Sequence, residues 1–229
     1  MKKIYFIVCV FFTTLIFSQQ DSLKVIDSLV IDKKYLEDQL YLTVSYNVLS
    51  SQPVGVNDSG FSYGISLGFI KDVPLNEKRN LGLGFGLGYG FDSFNQGLRV
   101  SENNNQLTFE VDNTLTSNKL VTHSIEFPIE IRWRNSTPNR YTFWRVYTGV
   151  KFTYNFDNKF EYVSNSNVFT ASNIENFNKW QAGFIFSAGY DAFNLHFYYG
   201  LSPILKDSFF GAEKIDTRIM KFGLTFYIL

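Results

Sequence analysis

The chain has 229 residues, enough for one domain with a sizeable interior, and its 21 basic and 21 acidic residues cancel. These charges are scattered along the sequence, which excludes the basic face that nucleic-acid binding requires. Aromatic residues make up 18% of the chain, led by 25 Phe and 14 Tyr, and 16 Gly accompany them. This mixture favours strands over helices.

The beginning of the sequence has the composition of a secretory signal peptide. Lys2 and Lys3 precede an apolar run that ends at Phe17, and Ser18 and Gln19 follow it. The apolar run is shorter than the roughly 20 residues that a spanning helix needs. We therefore predict that residues 1–19 are a cleavable export signal.

The only cysteine, Cys9, lies inside the apolar run of this signal rather than at the end of a lipoprotein-type signal. The sequence thus predicts a mature chain without lipidation, disulfides or a cysteine metal site. Residues 20–39 are polar with scattered Leu, Ile and Val, and we interpret them as a periplasmic lead-in. Residues 40–229 form the predicted barrel domain.

From Leu40 onward, apolar residues recur at every second position, which is the period of a strand with one apolar and one polar face. The pattern occurs eight times and predicts strands at 40–48, 63–69, 81–91, 124–134, 144–156, 180–190, 195–201 and 220–228. Strands of roughly ten residues are long enough to cross a bilayer at a tilt.

The links between the predicted strands alternate between short and long after the first pair. The short links are residues 71–80, 135–142 and 192–194, and the longest ones are 92–122 and 157–178. Short periplasmic turns and long outer loops are typical of membrane barrels. We therefore predict an all-β fold, an eight-stranded antiparallel up-and-down transmembrane β-barrel in the outer membrane. The long links are either a partner-binding surface or strands that extend past the membrane, and the sequence leaves both open.

The two faces of these strands distinguish a membrane barrel from a soluble one. A soluble, lipocalin-like barrel with its apolar face inside has the same period of two. The polar face of the fourth and fifth strands is charged, and in a narrow lumen its members would pair: Glu126, Glu130, Arg132, Arg134, Arg145 and Lys151. Aromatic residues lie near the ends of the apolar stripes, as an interfacial girdle requires: Trp133, Trp144, Tyr154, Trp180 and Tyr190. These features favour the membrane barrel.

A row of glycines alternates with apolar residues in the third predicted strand: Gly82, Gly84, Gly86, Gly88 and Gly90. Their spacing is strictly two, so the row is not a phosphate-binding G-x-G-x-x-G loop. We expect these glycines to face the lumen and to leave room for long side chains from the opposite wall. A lumen filled in this way disfavours a diffusion pore.

Only two histidines are available for acid–base chemistry, His123 and His196. Ser124 points to the opposite strand face from His123, so these neighbours are not close in space. His196 is predicted to face inward near Asp191, across a short turn, but without an evident nucleophile. We therefore predict no catalytic, cofactor-binding or metal-binding residues, no small-molecule substrate and no enzymatic activity. A lipid- or peptide-modifying barrel enzyme remains the alternative, and it depends on His196 and Asp191.

Four segments carry a resemblance to a known family: residues 17–19 (FSQ), 126–134 (EFPIEIRWR), 143–147 (FWRVY) and the terminal strand 222–229. In these segments the chain resembles the PorT-type outer-membrane β-barrel family of the Bacteroidetes. The resemblance implies an accessory component of type IX protein secretion and gliding motility, with the bilayer and other secretion proteins as partners. It carries no catalytic motif. A general envelope-stabilising or adhesion barrel is the other interpretation.

Overall fold

The computed structural model describes residues 38–56, 60–103, 106–112, 114–135 and 143–228, most of which lie in strands. The strands are β1 (Gln39–Ser50), β2 (Tyr63–Pro74), β3 (Leu81–Asn95), β4 (Leu98–Asn103), β5 (Gln106–Val111), β6 (Ser117–Arg134), β7 (Trp144–Ser164), β8 (Asn167–Ser172), β9 (Trp180–Tyr190), β10 (Phe193–Gly200), β11 (Phe209–Phe210), β12 (Glu213–Lys214) and β13 (Arg218–Ile228). Within these ranges no helix has the length and apolarity to span a membrane.

Eight of the strands close into a barrel. In the order β1, β2, β3, β6, β7, β9, β10 and β13, each strand pairs antiparallel with the next, and β13 pairs with β1. The predicted fold class is confirmed, and each predicted strand is present. β1 begins at Gln39, so this residue belongs to the barrel wall rather than to the predicted lead-in. The predicted signal peptide lies outside the described residues.

The connections divide the barrel into two ends. At the turn end the connections are short, at residues 75–80, 135–143 and 191–192, and at the opposite, loop end they are long. The β9–β10 turn has only two residues, and Asp191 adopts a left-handed φ of 55° there. The alternation predicted from the sequence is therefore present.

The two longest predicted links, 92–122 and 157–178, are largely strand, which agrees with one of the two interpretations that the sequence left open. β3 continues to Asn95, β6 already begins at Ser117 and β7 continues to Ser164. β4 and β5 form a hairpin within the first of these loops, and β8 pairs with the end of β7 in the second. The many Asn and Ser residues in both segments concealed the apolar alternation that forms these strands.

The strand extensions enclose an apolar core at the loop end, which we call the loop-end cluster. It draws on β1, β3, β4, β6, β7, β8, β9, β10 and β13 and on the connections between them. Its buried members are Leu49, Val56, Phe94, Leu98, Val100, Leu120, Phe160, Ala171, Ile174, Phe177, Ile185, Tyr198, Ile204, Leu205, Ile215 and Ile219. Burial of these apolar side chains therefore stabilises the interior of this end.

On β6 and β7, a β-bulge lies between the charged residues of the lumen and the members of the loop-end cluster. The β6–β7 register shifts between His123 and Ser124, and Phe156 is the extra residue on β7. Asn155 faces inward before the bulge, and Asn158 faces inward after it. The inward positions of β7 thus change from odd to even numbers at this level, as expected when one residue is inserted into a strand.

The outer face of the barrel wall is apolar. Along β1, for example, Leu40, Leu42, Val44 and Tyr46 are exposed, and the residues between them are buried. Such a continuous exposed apolar surface suits a lipid environment. The soluble barrel with an inward apolar face is therefore wrong for this chain.

The predicted aromatic girdle forms at two levels. At the turn end Trp144 packs against Tyr190 with ring centroids 5.4 Å apart, and at the loop end Tyr154 packs against Trp180 at 4.9 Å. The stretch of β7 from Trp144 to Tyr154 rises about 25 Å along a barrel axis at the usual strand tilt. That height matches the apolar band of an outer-membrane barrel.

Candidate functional site

The lumen near the turn end contains a buried cluster of two guanidiniums around one carboxylate. Asp72 on β2 accepts hydrogen bonds from Arg132 at 3.2 Å and from Arg134 at 2.7 Å, and none of the three side chains is exposed. Gln39 also accepts from Arg132, and Glu130 lies 3.5 Å from it. Asp72 thus ties β2 to β6 across the interior.

Arg145 is inside the barrel, as predicted, but it does not join this ion network. Its guanidinium donates to the backbone carbonyl of Asp191 and lies 4.3 Å from the centre of the Phe143 ring. No carboxylate of the described residues lies within 4.0 Å of Arg145. A carbonyl dipole and the face of an aromatic ring therefore stabilise its charge.

A second cluster occupies the middle of the lumen. The Lys151 ammonium on β7 lies 2.7 Å from Glu126 Oε1 on β6. Ser66 donates to the same carboxylate at 3.1 Å, and the Tyr41 hydroxyl donates to it at 3.4 Å. Side chains of four different strands therefore meet at one buried carboxylate.

A third ion pair, which the sequence did not reveal, lies toward the loop end. Lys221 on β13 is 2.7 Å from both carboxylate oxygens of Asp92 on β3, and Asn47 donates to Asp92 at 2.8 Å. The Tyr198 ring lies between two ammonium groups, 5.0 Å from Lys151 and 5.5 Å from Lys221. This cation–π arrangement links the second and third clusters.

The remaining space in the lumen is small. A cavity of about 20 Å³ lies among Tyr41, Glu126, Lys151, His196 and Tyr227. A cavity of this size holds about one water molecule. The middle of the lumen is therefore filled by side chains and offers no channel for a solute.

His196 and Asp191 do not form the pair considered from the sequence. Asp191 lies in the β9–β10 turn, and His196 lies in β10 beside the central cavity. No hydrogen bond joins them among the described residues, because five residues of chain carry His196 away from the turn. Ser187 lies opposite His196 on β9, and His196 lines the water-sized cavity.

His123 faces outward, and Ser124 faces inward, as predicted. The Nδ1 atom of His123 is 2.6 Å from the Tyr89 hydroxyl oxygen, and the ring lies among Phe91 and Phe156. The two predicted histidine positions therefore belong to different environments. In the part of the chain that the structure describes, no group of three or more His, Cys, Asp or Glu side chains is placed to hold a metal ion.

Asp38 fixes the chain at the turn end, just before β1. Its carboxylate pairs with the Lys71 ammonium and accepts a hydrogen bond from the backbone N–H of Asp72 at 3.0 Å. Partial burial acts to raise the pKa of Asp38, but the bonds from Lys71 and Asp72 outweigh it and hold the pKa below its usual value.

The glycine row on β3 makes room for the clusters. A Cβ atom at Gly84 would lie 2.7 Å from Cδ of Arg132, and one at Gly90 would lie 2.8 Å from Oε1 of Glu126. At Gly88 the contact would be 2.1 Å, to the Tyr41 hydroxyl oxygen. The lumen can hold these long side chains because β3 has no side chain at Gly84, Gly88 and Gly90.

Gly88→Ala is therefore expected to lower the free energy of unfolding by about 1–3 kcal/mol, the usual cost of overpacking an interior. The added methyl group displaces the Tyr41 hydroxyl from Glu126. Urea unfolding in detergent micelles measures the change. Gly82→Ala is the matched control, since its nearest contact would be 3.1 Å. Adding Tyr41→Phe should recover part of the loss, and equal losses for both glycine variants would contradict the account.

Comparison with known proteins agrees with this architecture. Residues 17–206 match the sequence profile of the outer membrane protein β-barrel domain. The chain belongs to this family. It is an outer-membrane protein whose apolar wall is embedded in the bilayer.

Two solved structures of other proteins are similar to this chain. It is similar to Ail, the attachment invasion locus protein of Yersinia pestis, at 12% identity and a TM-score of 0.36, covering 83% of this chain and 96% of Ail. It is also similar to a mutant porin of Rh. blastica, at 8% identity and a TM-score of 0.22, covering 85% of this chain and 100% of the porin. None of the curated proteins compared matches it significantly.

Proposed function

We propose that this outer-membrane barrel is a non-enzymatic accessory component of type IX protein secretion and gliding motility. The observation that carries the proposal is the filled lumen. Among the residues that the structure describes, ion pairs of Asp72, Glu126 and Asp92 cross the interior, and the cavity beside Glu126 and Lys151 is water-sized. A barrel of this kind acts through its surfaces, by binding proteins at the membrane.

The secretion role itself is supported by the PorT-type resemblance. The segment EFPIEIRWR, one carrier of that resemblance, supplies Glu126, Arg132 and Arg134 to the lumen clusters. The segment FWRVY supplies the buried Arg145. These residues hold the barrel rigid, so that the exposed ends can present fixed surfaces to secretion partners. Residues 1–19 then serve as the export signal, and residues 20–38 begin the mature chain in the periplasm.

Deletion of the gene tests the proposal. We expect the deletion strain to lose surface delivery of type IX cargo and gliding, and a plasmid copy of the wild-type gene to restore both. Complementation with His196→Ala should work equally well, because His196 has no catalytic role. Intact secretion and motility in the deletion strain would refute the secretion role. Failure of His196→Ala, with normal protein levels, would instead support a barrel enzyme.

A further inference from the structure

β8 gives the sheet an open edge. Each of the eight barrel strands pairs with a neighbour on both sides, whereas β8 ends the sheet order and pairs only with β7. A closed barrel removes strand edges, and this hairpin creates one again. Edges of this kind are the sites at which an extended segment can add as a further strand.

The hydrogen-bond phase identifies which groups point away from β7. Asn173 N–H donates to the Asn158 carbonyl at 2.8 Å, which marks this as a hydrogen-bonded antiparallel pair. Such pairs recur at every second residue, so Phe169 and Ala171 bond to β7. The N–H and C=O groups of Val168 and Thr170 therefore point to the open edge.

The opposite strand supports this phase. Val163 pairs with Val168, and the Val163 carbonyl accepts a hydrogen bond from Thr116 on the side away from β8. Among the described residues, no backbone or side-chain group bonds to the outward N–H and C=O of Val168 or Thr170. These donors and acceptors are spaced as a strand requires.

This edge lacks the features that usually protect one. β8 contains no charged residue, no proline and no bulge, and Val168 and Phe169 are 62% and 45% exposed. Its lack of charge matches an uncharged partner segment. A charged segment would gain no ion pair from β8 itself.

The β7–β8 hairpin is also held in place before any partner binds. Asn165 and Ser166 form a two-residue turn with φ values of 46° and 65°, the geometry of a tight hairpin. Ala171 is buried in the loop-end cluster, and the Phe169 ring stacks on Tyr162 at 4.9 Å. A preformed strand loses little conformational entropy on binding, which favours affinity.

We propose that the β8 edge binds an extended, uncharged segment of another polypeptide as an added strand, through the backbone groups of Val168 and Thr170. A second copy of this chain in the same membrane cannot pair antiparallel with β8. Antiparallel pairing of two β8 strands requires a two-fold axis perpendicular to the sheet, and β8 continues the barrel wall. That axis would invert one barrel relative to the other.

The test uses the full-length protein in lipid nanodiscs and a fluorescein-labelled peptide of alternating Thr and Val residues. Fluorescence anisotropy measures binding to the wild type, to Thr170→Pro and to the matched control Thr170→Val. Proline removes an outward N–H and leaves the β7–β8 bonds intact, so we expect binding to weaken by about tenfold or more in T170P only. A second peptide, N-methylated on alternate residues, should not bind.

Hydrogen exchange of the same complexes locates the contact. The Val168 and Thr170 amides should gain protection when the peptide binds, while the Phe169 amide should be protected with and without it. If the Phe169 amide loses protection in T170P, the proline has disrupted the hairpin. The comparison of the plain and the N-methylated peptide on the wild type then tests the proposal. The proposal is overturned if the plain peptide fails to bind at millimolar concentration, or if the N-methylated peptide binds equally. Equal binding to T170P, or peptide-independent dimers that T170P abolishes, would also overturn it.

Discussion

Replacing Glu126 with Gln is expected to lower the free energy of unfolding by about 3–5 kcal/mol, the usual cost of breaking a buried ion pair. The Glu126 and Lys151 side chains are 1% and 7% exposed, and their charged atoms are 2.7 Å apart. Glutamine keeps the shape of the side chain but leaves the Lys151 ammonium buried without its carboxylate. Urea unfolding in micelles, followed by the mobility difference between folded and unfolded barrel on gels, measures the loss.

The control for this variant removes the other charge as well. Glu126→Gln combined with Lys151→Met should be more stable than Glu126→Gln alone, because no uncompensated ammonium remains. If the double variant instead loses as much stability as Glu126→Gln and Lys151→Met lose separately, added together, then the two charges are not coupled. That result would contradict the buried pair.

Asp72→Asn is expected to cost a similar amount, about 3–5 kcal/mol, because one substitution deprives two buried guanidiniums of their shared carboxylate. Arg132 and Arg134 both bond to Asp72, and all three side chains are fully buried. The loss should appear as unfolding at lower urea concentration, with the turn end opening first in hydrogen exchange.

Asp38→Asn provides the matched comparison at the same end of the barrel. The Asp38 and Lys71 side chains are 28% and 52% exposed, so solvent screens their pairing. Exposed pairs contribute about 0–1 kcal/mol. We expect the Asp38 variant to unfold close to the wild type, and losses of equal size for Asp38→Asn and Asp72→Asn would contradict the assigned burial.

The fold followed from the sequence because the environment of a membrane barrel imposes a simple period. Each strand separates lipid from lumen, so apolar and polar residues alternate without interruption, as from Leu40 to Val48. The strand extensions at the loop end do not follow this alternation of lipid-facing apolar and lumen-facing polar residues. Above the bulge, inward residues such as Leu120 and Phe160 join an apolar core, and the polar Asn and Ser residues around them resemble a loop.

The lumen clusters were only partly predictable. The charges on β6 and β7 lie on one face of adjacent strands, so their inward direction was visible from the sequence. Asp72, Asp92 and Lys221 are isolated inward-facing charges in other strands, and their partners depend on barrel closure and register. The inward direction of Lys221 could be predicted, since it lies between the outward-facing Met220 and Phe222. Without the pairing of β13 with β1, nothing related it to Asp92.

The bulge at Phe156 gives this barrel a natural joining point. Because the register of β7 shifts there by one residue, the inward positions are odd-numbered before Phe156 and even-numbered after it. Length changes in the β4–β5 hairpin or in the β7–β8 hairpin need not disturb the charged pairs below. Exchanging residues 157–179 alone would therefore replace the β7–β8 hairpin, while the retained barrel wall keeps Lys151 and Lys221.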